Sequence, residues 1–176
     1  MASHQPLLPA GVELRRLESH DDDRGTFTEV FRSAWTGRAQ PVQWNAVRSR
    51  AGVLRGVHVH PRHDDYFVLV SGRATIGLRD MRAQSPTAGT VVAIEVGGAE
   101  LQAVTIPHGV AHGFHFHEPS LHFYAVTEYW SADDELGCRY DDPELGIPWS
   151  GSAVLVSARD RQAQPFATLV EELARR

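Results

Sequence analysis

Gly52-Val-Leu-Arg-Gly-Val-His-Val-His60 and Ile106-Pro-His-Gly-Val-Ala-His-Gly-Phe114 are the two stretches that decide the fold of this chain. Each is a short run of β-forming residues punctuated by glycine, and each carries histidine. A strand sends alternate side chains to opposite faces, so His58 and His60 share one face. With His112 from the second stretch, they make a set that a β-barrel can turn into its cavity. Eight of the ten histidines lie between His58 and His122. A neutral imidazole can take a proton near pH 7 or ligate a metal, so this cluster points to chemistry. His4, His20 and His63 read instead as polar surface residues.

Around these stretches the chain breaks into short β-rich segments. Val42–Val47, Val53–Val59, Tyr66–Val70, Ala74–Leu78, Thr90–Ile94, Leu101–Ile106, His112–His117 and His122–Tyr129 are rich in Val, Ile, Phe, Tyr and Thr. Residues 1–9 and the stretch around Ser150–Ser152 read as loops. Helical spacing occurs only near the C-terminus, at Phe166, Leu169, Val170 and Leu173. Many short, evenly spaced strands with one terminal helix predict an all-β fold, a double-sheet jelly roll with a short C-terminal helix. Nothing marks a boundary, so residues 1–176 are expected to form one domain.

Composition removes several function classes. A formal charge of −5 argues against nucleic acid as a partner, because phosphate contacts need a concentrated basic face. All 17 basic residues are arginine, which excludes Schiff-base and phosphate-loop chemistry that depends on lysine. No apolar stretch approaches the roughly 20 residues that span a bilayer. A single cysteine, Cys138, and no secretory signal pattern predict a cytoplasmic protein with no membrane partner.

Two nested resemblances follow from the motifs. Gly52, His58, His60, Asp65 and Gly72 resemble the first cupin motif, and Pro107, Gly109 and His112 resemble the second. More of the chain, from about Gly11 to Pro165, resembles the dTDP-4-dehydrorhamnose 3,5-epimerases. The matching segments run in order: Asp23-Arg-Gly-Thr-Phe-Thr-Glu29, Val42-Gln-Trp-Asn45, Gly52-Val-Leu-Arg-Gly-Val-His58, Arg82-Ala-Gln-Ser-Pro-Thr-Ala-Gly89, Ala111-His-Gly-Phe114 and Asp142-Pro-Glu-Leu-Gly-Ile-Pro-Trp149.

That resemblance implies an isomerase that inverts C3 and/or C5 beside the C4 ketone of a dTDP-4-keto-6-deoxyhexose, in deoxysugar biosynthesis. It implies no cofactor. It assigns His58 as base, Asp142 as its carboxylate partner and Tyr124 as the opposite-face acid. Arg24, Phe27, Glu29, Gln43, Asn45, Arg55, His112 and Trp130 match substrate-binding positions. It also implies a homodimer in which a strand at Gly11–Leu17 adds to the partner's sheet and residues around Glu29 and Phe31 reach the partner's cavity.

The chain departs from the family at two places. Asp65 stands where the family carries a lysine, and His60 stands where it carries a glutamine. Both changes restore the cupin ligand set, so the alternative is a divalent metal on His58, His60, Asp65 and His112 in a metal-dependent isomerase or dioxygenase. A non-catalytic sugar-nucleotide-binding relative is the remaining reading.

Overall fold

A computed structural model describes residues 7–37, 40–97, 100–151 and 155–176. Of the expected loops, residues 1–6 and Ser152 lie outside the described residues, as does His4. The strands are β1 (Glu13–Arg16), β2 (Ser19–Asp22), β3 (Gly25–Thr28), β4 (Gln43–Ser49), β5 (Val53–Val59), β6 (Asp65–Ser71), β7 (Arg73–Asp80), β8 (Val91–Gly97), β9 (Gln102–Ile106), β10 (Val110–Phe116), β11 (Ser120–Val126) and β12 (Leu136–Gly137). Two helices close the chain, α1 (Ala158–Arg161) and α2 (Phe166–Ala174). All eight expected strands are present as β4 to β11, with ends shifted by up to three residues.

One five-stranded sheet runs β1-β9-β6-β11-β4 and the other β12-β5-β10-β7-β8. This is the jelly-roll architecture of the cupin type. Phe67 and Leu69 from β6 and Val104 from β9 meet Ile76 and Leu78 from β7 and Phe116 from β10 between the sheets. Each is under 2% exposed, and burying such a side chain contributes roughly 1.5–3 kcal/mol. The opposite faces are also covered. Val57, Val59 and Ala111 pack under Phe166 and Leu169 of α2, one helical turn apart. Tyr66, Val68 and Ala125 pack under Leu17, Phe31 and Trp35.

These outward contacts fix what points inward. Val57 and Val59 face α2, so His58 between them faces the space between the sheets. The register of β5 against β10 shifts beside His112 and Gly113, so that His112 pairs with His58 while Gly113 pairs with Gly56. The extra residue breaks the alternation and brings Arg55 and His58 to the same cavity. Gly56 is required there. Its φ is +118°, and a Cβ would lie 2.8 Å from Gly113 Cα and 2.9 Å from the His112 carbonyl.

The N-terminal strand departs from expectation. β1 pairs antiparallel with β9 of its own sheet, Glu13 opposite Thr105 and Arg16 opposite Gln102, rather than standing free for a partner. Among the described residues the β2–β3 hairpin pairs only with itself, with Phe27 64% exposed.

Candidate active site

Between the sheets lies a cavity of about 290 Å³. His58 and Arg55 line it from β5, His112 and Phe114 from β10, Asp65 and Phe67 from β6, and His122 and Tyr124 from β11. His60, His63, Trp130, Glu135, Arg159 and Asp160 complete much of the wall from the connecting segments and α1. Phe67, Phe114, Phe116 and His122 stack along its apolar end. Burial there pushes the His122 imidazole down to about 4, and the Arg55 charge acts the same way.

His58 sits between two carboxylates. Its Nε2 lies 2.9 Å from Asp160 Oδ1, and its Nδ1 lies 3.3 Å from Glu135 Oε1. Asp160 is 7% exposed, and its backbone N–H donates to Ser157 Oγ at the start of α1. Burial pushes the Asp160 carboxyl up. Its bond and charge pairing with His58, aided by Ser157 and the Gly56 N–H, outweigh that and leave it below the usual range. Glu135 follows the same logic: burial raises it, and His58, His60, Trp130 and Arg159 bring it down overall. The Trp130 indole donates to Glu135 Oε2, and Arg159 pairs with Glu135 Oε1 at 3.2 Å.

A second group lies beside the first. His60 Nδ1 is 3.0 Å from the Asp134 carbonyl, and His63 Nδ1 is 2.7 Å from the Asp134 carboxylate. His112 Nδ1 is 3.1 Å from the Val110 carbonyl. Asp65, buried at 7% exposure, faces His60 Nε2 at 3.5 Å and His112 Nε2 at 3.6 Å. Burial raises its carboxyl to about 7. His60 opposes that, and Glu135, Asp64 and Asp134 add to it. Burial likewise holds His112 well below the usual imidazole range, so it is neutral at physiological pH. On the facing sheet, burial followed by the charges of Glu135 and Asp65 raises the Tyr124 phenol, which therefore keeps its proton.

A wall holding an imidazole on a buried carboxylate, faced by a protonated phenol, is equipped to move a proton on and off carbon. The sequence matches the profile of dTDP-4-dehydrorhamnose 3,5-epimerase over residues 9–168. The chain belongs to the dTDP-4-dehydrorhamnose 3,5-epimerase family. It is thus an isomerase, a deoxysugar epimerase. The dTDP-4-dehydrorhamnose 3,5-epimerase of Pseudomonas aeruginosa is 36% identical over 158 residues, covering 83% of this chain and 86% of that protein. ChmJ, a 3'-monoepimerase from Streptomyces bikiniensis solved with dTDP-quinovose, superposes with a TM-score of 0.85 at 28% identity, covering 96% of this chain and 89% of that one. RmlC from Legionella pneumophila, solved with dTDP-4-keto-L-rhamnose, gives a TM-score of 0.81 at 30% identity, over 90% and 92%.

Within this family fold, the structure brings His58, Tyr124, Arg55, His112 and Trp130 to one cavity. Asp142 is elsewhere. Its carboxylate accepts from the N–H groups of Phe166 and Glu144, at 2.9 and 3.0 Å, tying the 142–145 turn to the start of α2. Asp160 takes the place expected for Asp142, because α1 rather than the Asp142 turn meets β5 at the cavity wall. Gln43 lies on β4, where Oε1 accepts from the Trp130 N–H and Nε2 donates to Asn45 Oδ1, so the pair braces the rim. Arg24 pairs with Asp22 and Glu29 with Arg32, on or beside the exposed hairpin with Phe27, away from this cavity. Phe31 packs edge-on against Trp44 and Tyr66 of its own chain.

The expected metal set is also rearranged. Both nitrogens of His58 are engaged by Asp160 and Glu135, whereas His60, His63 and Asp65 bring ligand atoms within 4.8 Å of one another. His63 is buried at 2%, not on the surface, because Asp134 draws it inward; His20 is exposed as expected. Sequence reasoning passed over Asp160, Glu135, Arg159 and His63. The only signal for Asp160 was Ser157 three residues before it, a helix-capping spacing.

Proposed function

We propose that the chain epimerises a dTDP-4-keto-6-deoxyhexose at C3 and/or C5, with His58 as base. The observation that carries this reading is the 2.9 Å bond from His58 Nε2 to Asp160. With Nε2–H donated to Asp160, Nδ1 carries the lone pair that takes the substrate proton, and Glu135 Oε1, 3.3 Å away, accepts from Nδ1–H once that proton has arrived. The two carboxylates then stabilise the imidazolium that forms, while Trp130 and Arg159 hold Glu135 in position. Proton abstraction by a positioned imidazole contributes roughly 10²–10⁴-fold in rate. His58 stands on β5 and Tyr124 on β11, in opposite sheets, which suits removal of a proton from one face of the sugar and its return to the other. Arg55, His112 and Trp130 are the cavity groups suited to orient substrate, the arginine by its bidentate fit to a diphosphate. Carbon keeps its oxidation state throughout, so the proton transfers call for no redox cofactor. The ligands of the RmlC and ChmJ structures support a dTDP-sugar as substrate.

A homodimer and a cytoplasmic setting belong to the same reading. A lone two-stranded ribbon is marginal in water, and the hairpin with its exposed Phe27 supports a second copy as its cover. The one cysteine is buried and free, which supports a reducing compartment.

The test is proton NMR of dTDP-4-keto-6-deoxyglucose with the protein in heavy water. Loss of the C3 or C5 signal, abolished in a His58→Asn variant that keeps its circular dichroism, is the expected result. Retention of both signals with wild-type protein, or exchange undiminished in the variant, refutes it.

A further inference from the structure

The proton-transfer groups leave His60, His63 and Asp65 without a role, although all three line the cavity and are buried. What lies behind the imidazoles fixes which nitrogen each presents. A carbonyl or carboxylate oxygen only accepts, so His60 and His63 each donate Nδ1–H to Asp134 and His112 donates Nδ1–H to Val110. In its neutral form each ring then carries its lone pair on Nε2. The His60 and His63 rings stack with centroids 4.0 Å apart, and both hang from Asp134 by Nδ1, which leaves both Nε2 atoms on the side away from it.

Two of these bare nitrogens, on His60 and His112, face one oxygen of Asp65 at 3.5 and 3.6 Å. That is beyond a hydrogen bond, so Asp65 satisfies neither nitrogen. It is the separation of two ligands on a shared ion, since atoms roughly 2.1 Å from a tetrahedral centre lie about 3.4 Å apart. Among the described residues, the ion-pairing partners of Asp65 are those imidazoles and no arginine, and the chain has no lysine. Asp134, Glu135 and Asp64 add to the negative surroundings.

We propose that His60, His63 and Asp65, with His112 reaching the same carboxylate oxygen, bind a divalent first-row transition ion of the zinc or cobalt kind. Imidazole and carboxylate ligands suit that class, and Asp134, by its carbonyl behind His60 and its carboxylate behind His63, supplies the outer oxygens that orient metal-binding histidines. His58 is not a ligand, so the base and the ion coexist in one cavity. When bound, the ion supplies a Lewis acid at the wall that also holds His58. The site rests on side-chain geometry and does not depend on the epimerase substrate being correctly assigned.

The experiment is a cobalt(II) titration of full-length protein stripped with a chelator, read by visible absorption and by calorimetry without substrate. One ion per chain is expected, with the visible bands of a low-symmetry nitrogen and oxygen site. His60→Ala and Asp65→Asn should each weaken binding roughly 100-fold or more, while His58→Asn leaves it unchanged. Circular dichroism of each variant separates loss of the site from loss of the fold. Absence of stoichiometric binding by wild-type protein overturns the proposal. So does binding that survives in both His60→Ala and Asp65→Asn, or binding lost in His58→Asn.

Discussion

Replacing Asp160 by asparagine, beside the same change at Asp142, separates the carboxylate that meets His58 in the fold from the one the sequence motifs pointed to. Asp160 faces His58 Nε2 at 2.9 Å and is 7% exposed, so its charge is screened little by solvent. Asparagine keeps the volume and removes the charge. A hydrogen bond to a charged group contributes about 1.5–3 kcal/mol, and a tenfold rate change corresponds to about 1.4 kcal/mol. Asp160→Asn should therefore slow substrate deuterium exchange by roughly 10- to 150-fold, with Glu135 preserving part of the imidazolium stabilisation. Asp142 instead accepts from the Phe166 N–H at 2.9 Å, as a cap does. Asp142→Asn should cost about 1 kcal/mol of stability and leave exchange within a few-fold of wild type. The assay is the rate of C3 and C5 proton loss in heavy water, with urea melts of both variants. Exchange lost in Asp142→Asn and retained in Asp160→Asn refutes the assignment.

Three further outcomes follow from the geometry. Tyr124→Phe should still let deuterium exchange at the carbon His58 attacks, while formation of inverted product falls by roughly 10²–10⁴-fold; chiral analysis of product beside NMR exchange checks both halves. His122 is held at about 4 against 6.5 unfolded, so the unfolded chain binds more protons between these values and stability falls as pH drops through that window. At about 1.4 kcal/mol per pH unit the cost is on the order of 3 kcal/mol, and a His122→Phe variant should show a shallower acid limb in urea melts from pH 7 to 4. Gly56→Ala should lose at least about 2 kcal/mol, from the +118° φ and the 2.8 Å approach to Gly113, and an unchanged urea midpoint would contradict the bulge argument.

Much of this molecule is legible in one dimension because its signals are local. Eight strands are written in runs of β-branched and aromatic residues. The helix at Phe166–Ala174 is written in the spacing of Phe166 and Leu169. His58, His112, Tyr124 and Arg55 were legible because ordered motifs name them, although a break in the alternation of β5 is what puts Arg55 and His58 in one cavity. The β2–β3 hairpin was not, since Ser19-His-Asp-Asp22 carries no apolar alternation to betray a strand.

What only the tertiary structure decided is which distant carboxylates meet the histidines. Asp142 and Asp160 are both aspartates beyond the last strand, and nothing in their local sequence tells which is carried back to β5, 102 residues before Asp160. The docking of α1 at the cavity wall beside β5 chooses Asp160, while the start of α2 claims Asp142. Likewise His63 reads as a surface histidine until Asp134, 71 residues on, draws it into the wall. Backbone periodicity is a property of neighbours in sequence and survives in the sequence alone. Pairing a buried charge depends on which surfaces the fold closes together, and only the closed fold contains it.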